Sequence, residues 1–162
     1  MTVYNRKKGE TELLIQIGDA TSDKPSFTVN VVEEKEIDVR VWIISNDNNE
    51  MSRTDSEIYT IIKEANDIYA QVGVCFNLVE PIVVTNIPNA YKAYYDSNKV
   101  QGNHWSFNQI VNVATNTCGI ECYFIDSFVD EEGTIAVNSG RGMVLTKKAT
   151  GATFAHECGH LF

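Results

Sequence analysis

Apolar and polar positions alternate along much of the first 45 residues. Leu13, Ile15 and Ile17, then Phe27, Val29 and Val31, flank the turn-like Ser22-Asp23-Lys24-Pro25 and predict a hairpin of half-buried strands. Ile37, Val39, Val41 and Ile43 alternate with Asp38, Arg40 and Trp42, which predicts another strand. After the polar loop 45–50 the period changes. Ile58, Ile61, Ile62, Ala65, Ile68, Tyr69 and Val72 recur at the i, i+3, i+4, i+7 spacing of a helix covering 54–72. Thr54 with Glu57 makes a capping box at its start, and Gly73 is a natural stop.

Downstream, 74–79 and 82–85 read as two strands separated by Pro81. Residues 86–117 show no clean period. Tyr91, Tyr94, Tyr95, Trp105 and Phe107 are dispersed among Asn and Gly, with a short helix expected over 107–113. Strands are expected at 123–129, 134–137 and 143–146, and a last helix opens near Thr150 and runs to the end of the chain. The order predicts an α+β fold, an open mixed twisted sheet backed by the long helix and the last one. Residues 1–35 read as an N-terminal β extension or the end of a preceding module, and 36–162 as the main domain.

Composition changes this picture little. The 162 residues are 43% apolar and 22% charged, ordinary for a globular protein, and no apolar run approaches the roughly 18 residues of a membrane span. A net charge of −9 argues against a nucleic-acid surface, which needs a clustered basic face. The first residues carry charge but no apolar stretch behind it, so no signal peptide is visible. Cys118 and Cys122 form a C-x3-C pair too loose for a zinc knuckle. A local disulfide is the favoured state if the protein is exported, and free thiols if it is not.

The informative chemistry lies at the end. His156-Glu157-Cys158-Gly159-His160 sits where the last helix is expected, and two of the chain's three histidines belong to it. Histidines four apart on a helix project from one face, so both ring nitrogens can reach one Zn2+ at about 2.0–2.1 Å. The glutamate beside the first histidine is angled to take a proton from a zinc-activated water, which then attacks a polarised peptide carbonyl.

Ala155-His156-Glu157-Cys158-Gly159-His160-Leu161-Phe162 resembles the active-site helix of the metzincin clan of zinc peptidases, where a small residue precedes the first histidine and Gly the second. The order of elements over 37–162 is similar to the N-terminal subdomain of that clan. The resemblance implies a zincin-like fold, a zinc cofactor and a peptide or protein substrate. It makes His156 and His160 metal ligands and Glu157 the general base. It also implies a secreted or cell-envelope location, and a sheet edge within 134–146 against which an extended peptide lies.

The clan's longer pattern places a third ligand six residues after the second histidine, which here falls four residues beyond Phe162. The expectation is therefore a catalytic domain cut after its motif helix, inactive alone, whose apolar helix end promotes self-association. Two other classes compete. A non-catalytic binding or adhesion module would keep the fold, and its mark would be loss of Glu157. A β-rich globular domain with a chance motif would be insensitive to metal.

The remaining candidates read more plainly. His104 is expected in an exposed loop. Cys158, roughly 200° around the helix from His156, should face the core. Asp126 is expected to point outward from a strand, with orientation of a histidine as the alternative.

Overall fold

The alternating segments near the N-terminus pair with each other. β1 (Gly9–Leu14) and β2 (Ser26–Val31) are antiparallel, with Leu13 opposite Phe27 and Thr11 opposite Val29. The computed structural model describes residues 9–14, 26–31, 34–113, 119–140 and 142–161, so Ile15, Ile17 and the turn at 22–25 lie outside the described residues. The chain divides into two units, Met1–Lys35 and Glu36–Phe162.

The second unit is built on β3 (Lys35–Ser45), followed by α1 (Asp55–Tyr69) and β4 (Val74–Asn86). The short α2 (Pro88–Tyr91), β5 (Lys92–Ala93) and α3 (Phe107–Val111) come next. Then come β6 (Ile120–Ile125), β7 (Ser127–Phe128), β8 (Ala136–Ser139), β9 (Gly142–Thr146) and α4 (Gly151–Gly159). Five strands form a sheet in the order β4-β3-β6-β9-β8. β3, β6 and β9 are parallel, and β8 runs antiparallel to β9 at the edge. Asn77 Nδ2 donates to Asp38 Oδ1 near the start of β4 and β3, while Ile87 N donates to Ser45 O near their ends. Those two strands therefore also run the same way, which requires the crossover that α1 supplies. The fold is α+β with a mixed sheet.

Side-chain alternation splits this unit into two cores. Val39, Val41 and Ile43 of β3, Cys122 and Phe124 of β6, and Met143 and Leu145 of β9 all turn toward α1 and α4. Ile44, Tyr123, Ile125 and Val144 turn the other way, against Ala90, Ala93, Ile110 and Phe128. The sheet is thus covered on both faces and not only by two helices. The dispersed aromatics of 86–113 are the second cover: Tyr91, Trp105 and Phe107 pack against that core.

α1 begins at the expected capping box. Thr54 N donates to Glu57 Oε2 at 2.8 Å, and Glu57 N donates back to the Thr54 hydroxyl at 3.4 Å. Its tail departs from the expected stripe. A 3-10 turn over Ala70–Val72 follows Tyr69 and closes on Gly73 at φ 72°. Each 3-10 residue rotates about 120° instead of 100°, which carries Val72 off the apolar face. Val72 is 59% exposed, and Ile68, at the margin of the stripe, is 41% exposed.

Three other boundaries differ. Residues 74–86 are one strand and not two, because β4 lies at the sheet edge and the exposed Pro81 costs no ladder bond there. β6 starts at Ile120 and ends at Ile125, earlier than the expected strand. Asp126 N donates to Tyr91 O instead, and Ser127–Phe128 pairs with β5. β8 is displaced by two residues from the expected 134–137.

A candidate metal centre on the last helix

α4 is fixed before its histidines are reached. Thr150 caps it, its hydroxyl accepting from Thr153 N at 3.3 Å. Gly151 N donates to the Glu64 carboxylate of α1 at 3.0 Å. A Cβ at Gly151 would lie 2.8 Å from the Ile61 carbonyl oxygen and 2.3 Å from Glu64 Cβ, so only glycine lets the two helices approach this closely. Further along, Tyr69 Oη donates to Ala155 O at 3.0 Å, and a Cβ at Gly159 would sit 3.3 Å from that same hydroxyl. The small residues around the motif therefore seat α4 against α1.

Phe154, Ala155 and Cys158 face the first core, Phe154 and Cys158 with no exposure. Cys158 is placed as expected. Burial, and secondarily the nearby Glu157 carboxylate, pushes its thiol pKa to about 12, so it is no nucleophile at neutral pH. Cys122, also fully buried, is a free thiol raised well above the usual range by the same burial. The expected partner of its disulfide, Cys118, lies outside the described residues.

His156 and His160 lie on the exposed side of the helix, and their Nε2 atoms approach to 3.1 Å. The rings stand at 86° with centroids 4.8 Å apart. An ion about 2.05 Å from each nitrogen would see the pair at roughly 100°, close to a tetrahedral ligand angle. The residues present thus fit two positions of a zinc shell. Without an ion, one imidazole N–H donates to the other ring at that distance.

Glu157 lies between them in sequence but on a different side. It is only 9% exposed, and its Oε2 accepts from Asn138 Nδ2 of β8 at 2.7 Å. That contact was not read from the sequence. Its signal is period-two alternation in a four-residue strand: Ala136 packs with the first core and Val137 with the second, so Asn138 faces α4.

The other candidates do not join the pair. His104 is exposed, its Nδ1–H donating to the Lys92 carbonyl at 2.9 Å while the ring stands edge-on to Tyr94. Asp126 points neither outward nor at a histidine. It is 7% exposed and paired with Lys147 and Lys92, with Ser127 Oγ donating at 3.0 Å. Among the described residues, no three His, Cys, Asp or Glu side chains converge as a metal-holding group.

The helix stops sooner than expected. His160 N donates to Glu157 O and Leu161 N to Cys158 O, closing a tight final turn that brings Leu161 partly into the first core. The apolar end expected to drive self-association is covered to that extent, and Phe162 lies outside the described residues. No helix among the described residues is long and apolar enough to cross a membrane. No protein-family model matches the chain, and no curated protein matches it.

Proposed function

We propose that this chain carries the zinc-binding and general-base elements of a metallopeptidase site of zincin type. The observation carrying this reading is the 3.1 Å approach of His156 Nε2 and His160 Nε2 beside a buried, strand-anchored Glu157. Bound there, zinc supplies a Lewis acid that acidifies water and polarises a peptide carbonyl. His156 and His160 hold it through Nε2, in the neutral form that leaves a lone pair free. Glu157 takes the proton of the attacking water at its carboxylate and returns it to the departing amine. β8, which pairs with no strand but β9 among the described residues, presents main-chain donors and acceptors to an extended peptide beside that carboxylate. A third protein donor is required for tight binding and belongs, on this reading, outside the described residues. A non-catalytic module that keeps the same fold draws its support from the lack of a third donor among the described residues.

Calorimetric zinc titration tests the assignment. The parent and Glu157→Gln are expected to bind weakly and alike, and less tightly as the pH falls, because protons compete for the ring nitrogens. His156→Ala and His160→Ala are expected to lose binding. Equal affinity across all four proteins sinks it. A quenched-fluorescent peptide library, run with and without a zinc chelator, asks whether a third donor is already in place. Two ligands alone are expected to give no cleavage, and chelator-sensitive cleavage would show a third donor already in place, with His104 the first residue to substitute.

A further inference from the structure

Among the described residues, Glu157 is the one member of the proposed site whose side chain is held from outside its own helix. A carboxylate this poorly exposed needs donors, since burying a charge without them is strongly unfavourable. Among the described residues its one side-chain hydrogen bond comes from Asn138 Nδ2, at 2.7 Å. Asn138 sits on the core-facing side of an edge strand, opposite the fully buried Met143, where sheet packing alone asks for an apolar residue.

We propose that Asn138 is the positioning residue of Glu157, fixing Oε2 so that the other carboxylate oxygen stays available to take a proton. The inference rests on reading Glu157 as the general base. The choice of donor suits the task. A Lys would neutralise the carboxylate and hold its charge in a pair, whereas an amide restrains it by one neutral hydrogen bond and cannot give up a proton. Mere space-filling between β8 and α4 would be met by any side chain of this size. Donation would not.

That difference makes the test, made by NMR on the 162-residue chain. In the parent, one Asn138 side-chain amide proton should be shifted downfield, and the three-bond couplings of Glu157 should report a single rotamer. Glu157→Gln should remove the shift. Asn138→Asp keeps the shape, loses the donor and sets a like charge against Glu157, so Glu157 should average over rotamers. Asn138→Ala should do the same. Neither variant touches a histidine, so zinc should perturb the His156 and His160 ring signals at the parent's concentration. Unchanged Glu157 couplings in both Asn138 variants, or an Asn138 shift indifferent to Glu157→Gln, would overturn the proposal. If Asn138→Ala loses its dispersed backbone spectrum, Asn138→Asp and the Glu157→Gln comparison still decide. Ring signals that ignore zinc in every protein would instead remove the metal reading, while the couplings still report whether Asn138 holds Glu157.

Discussion

The two faces of the sheet are covered in different ways. The first is covered by α1 and α4, regular helices with capping boxes at their starts, packed through aliphatic and aromatic side chains. The second is covered by α2, α3 and a two-residue strand pair, where Trp42 stacks on Tyr123 and Tyr95 on Phe107. It also relies on polar ties, with Trp42 Nε1 donating to Glu121 and Asp126 joined to two lysines. The histidine pair stands on the first cover, where Gly151 and Gly159 let α1 and α4 approach closely. A site that must hold atoms to a fraction of an ångström gains from rigid elements, and the irregular cover is where variation costs least.

The widest break in that contrast should come from the cores themselves. Phe154 is fully buried, edge-on to Phe76 at 5.3 Å between centroids. Phe154→Ala should cost about 3–5 kcal/mol and loosen α4, so that zinc response falls with stability. Ile110→Ala, equally buried on the second face, should cost about 2–5 kcal/mol yet leave zinc response intact in the folded protein. Urea denaturation and zinc titration of both variants measure this. Loss of zinc response in the Ile110 variant would show that the two covers are not separable.

A smaller effect sharpens the same contrast. Gly151→Ala places a methyl against the Ile61 carbonyl and Glu64. Overpacking of this kind typically costs about 1–3 kcal/mol, and here it should also tilt α4 away from α1 and weaken the Tyr69–Ala155 bond. Gly133→Ala meets no neighbouring atom within 4 Å and does not sit at a positive φ, so it controls for adding a methyl where nothing approaches. Equal destabilisation by both would remove close approach as the reason for Gly151.

Legibility in the sequence follows the same division. The 3.6-residue stripe and the Thr54–Glu57 box placed α1, and the same logic put Cys158 in the core, because regular helices convert spacing directly into facing. The histidine pair was legible for that reason. β4 was split at Pro81 because a proline reads as a break until the strand is known to lie at an edge. The start of β6 was missed because Glu121 is polar within a fully buried strand. Its partner Trp42 is 79 residues away, out of reach of any local pattern. Asn138 was missed because the expected strand, 134–137, ended one residue before it, whereas β8 runs over Ala136–Ser139. Long-range pairings and short elements were therefore what the pattern could not supply.

The smallest expected effect concerns the polar tie of the second face. Burial pushes the Asp126 carboxyl up, but hydrogen bonds from Lys147 and Ser127, with the charges of Lys147 and Lys92, outweigh it and hold the group below the ordinary aspartate value of 3.8. A depressed folded value means the carboxylate stabilises the fold above 3.8, and that contribution disappears as the pH falls through the lower folded value. Both lysine side chains are more than half exposed, so solvent screens the pair and the total should be about 1 kcal/mol or less. Asp126→Asn keeps the shape and removes the charge. Its urea midpoint should lie below the parent's at neutral pH, by a gap that narrows with added salt and closes once the solution is acid enough to protonate Asp126 in the folded parent. The Phe154→Ala gap, being apolar, should not change over the same range. A gap for Asp126→Asn that persists at the acid end would mean the residue works through packing, and the second face would then be held by the same forces as the first.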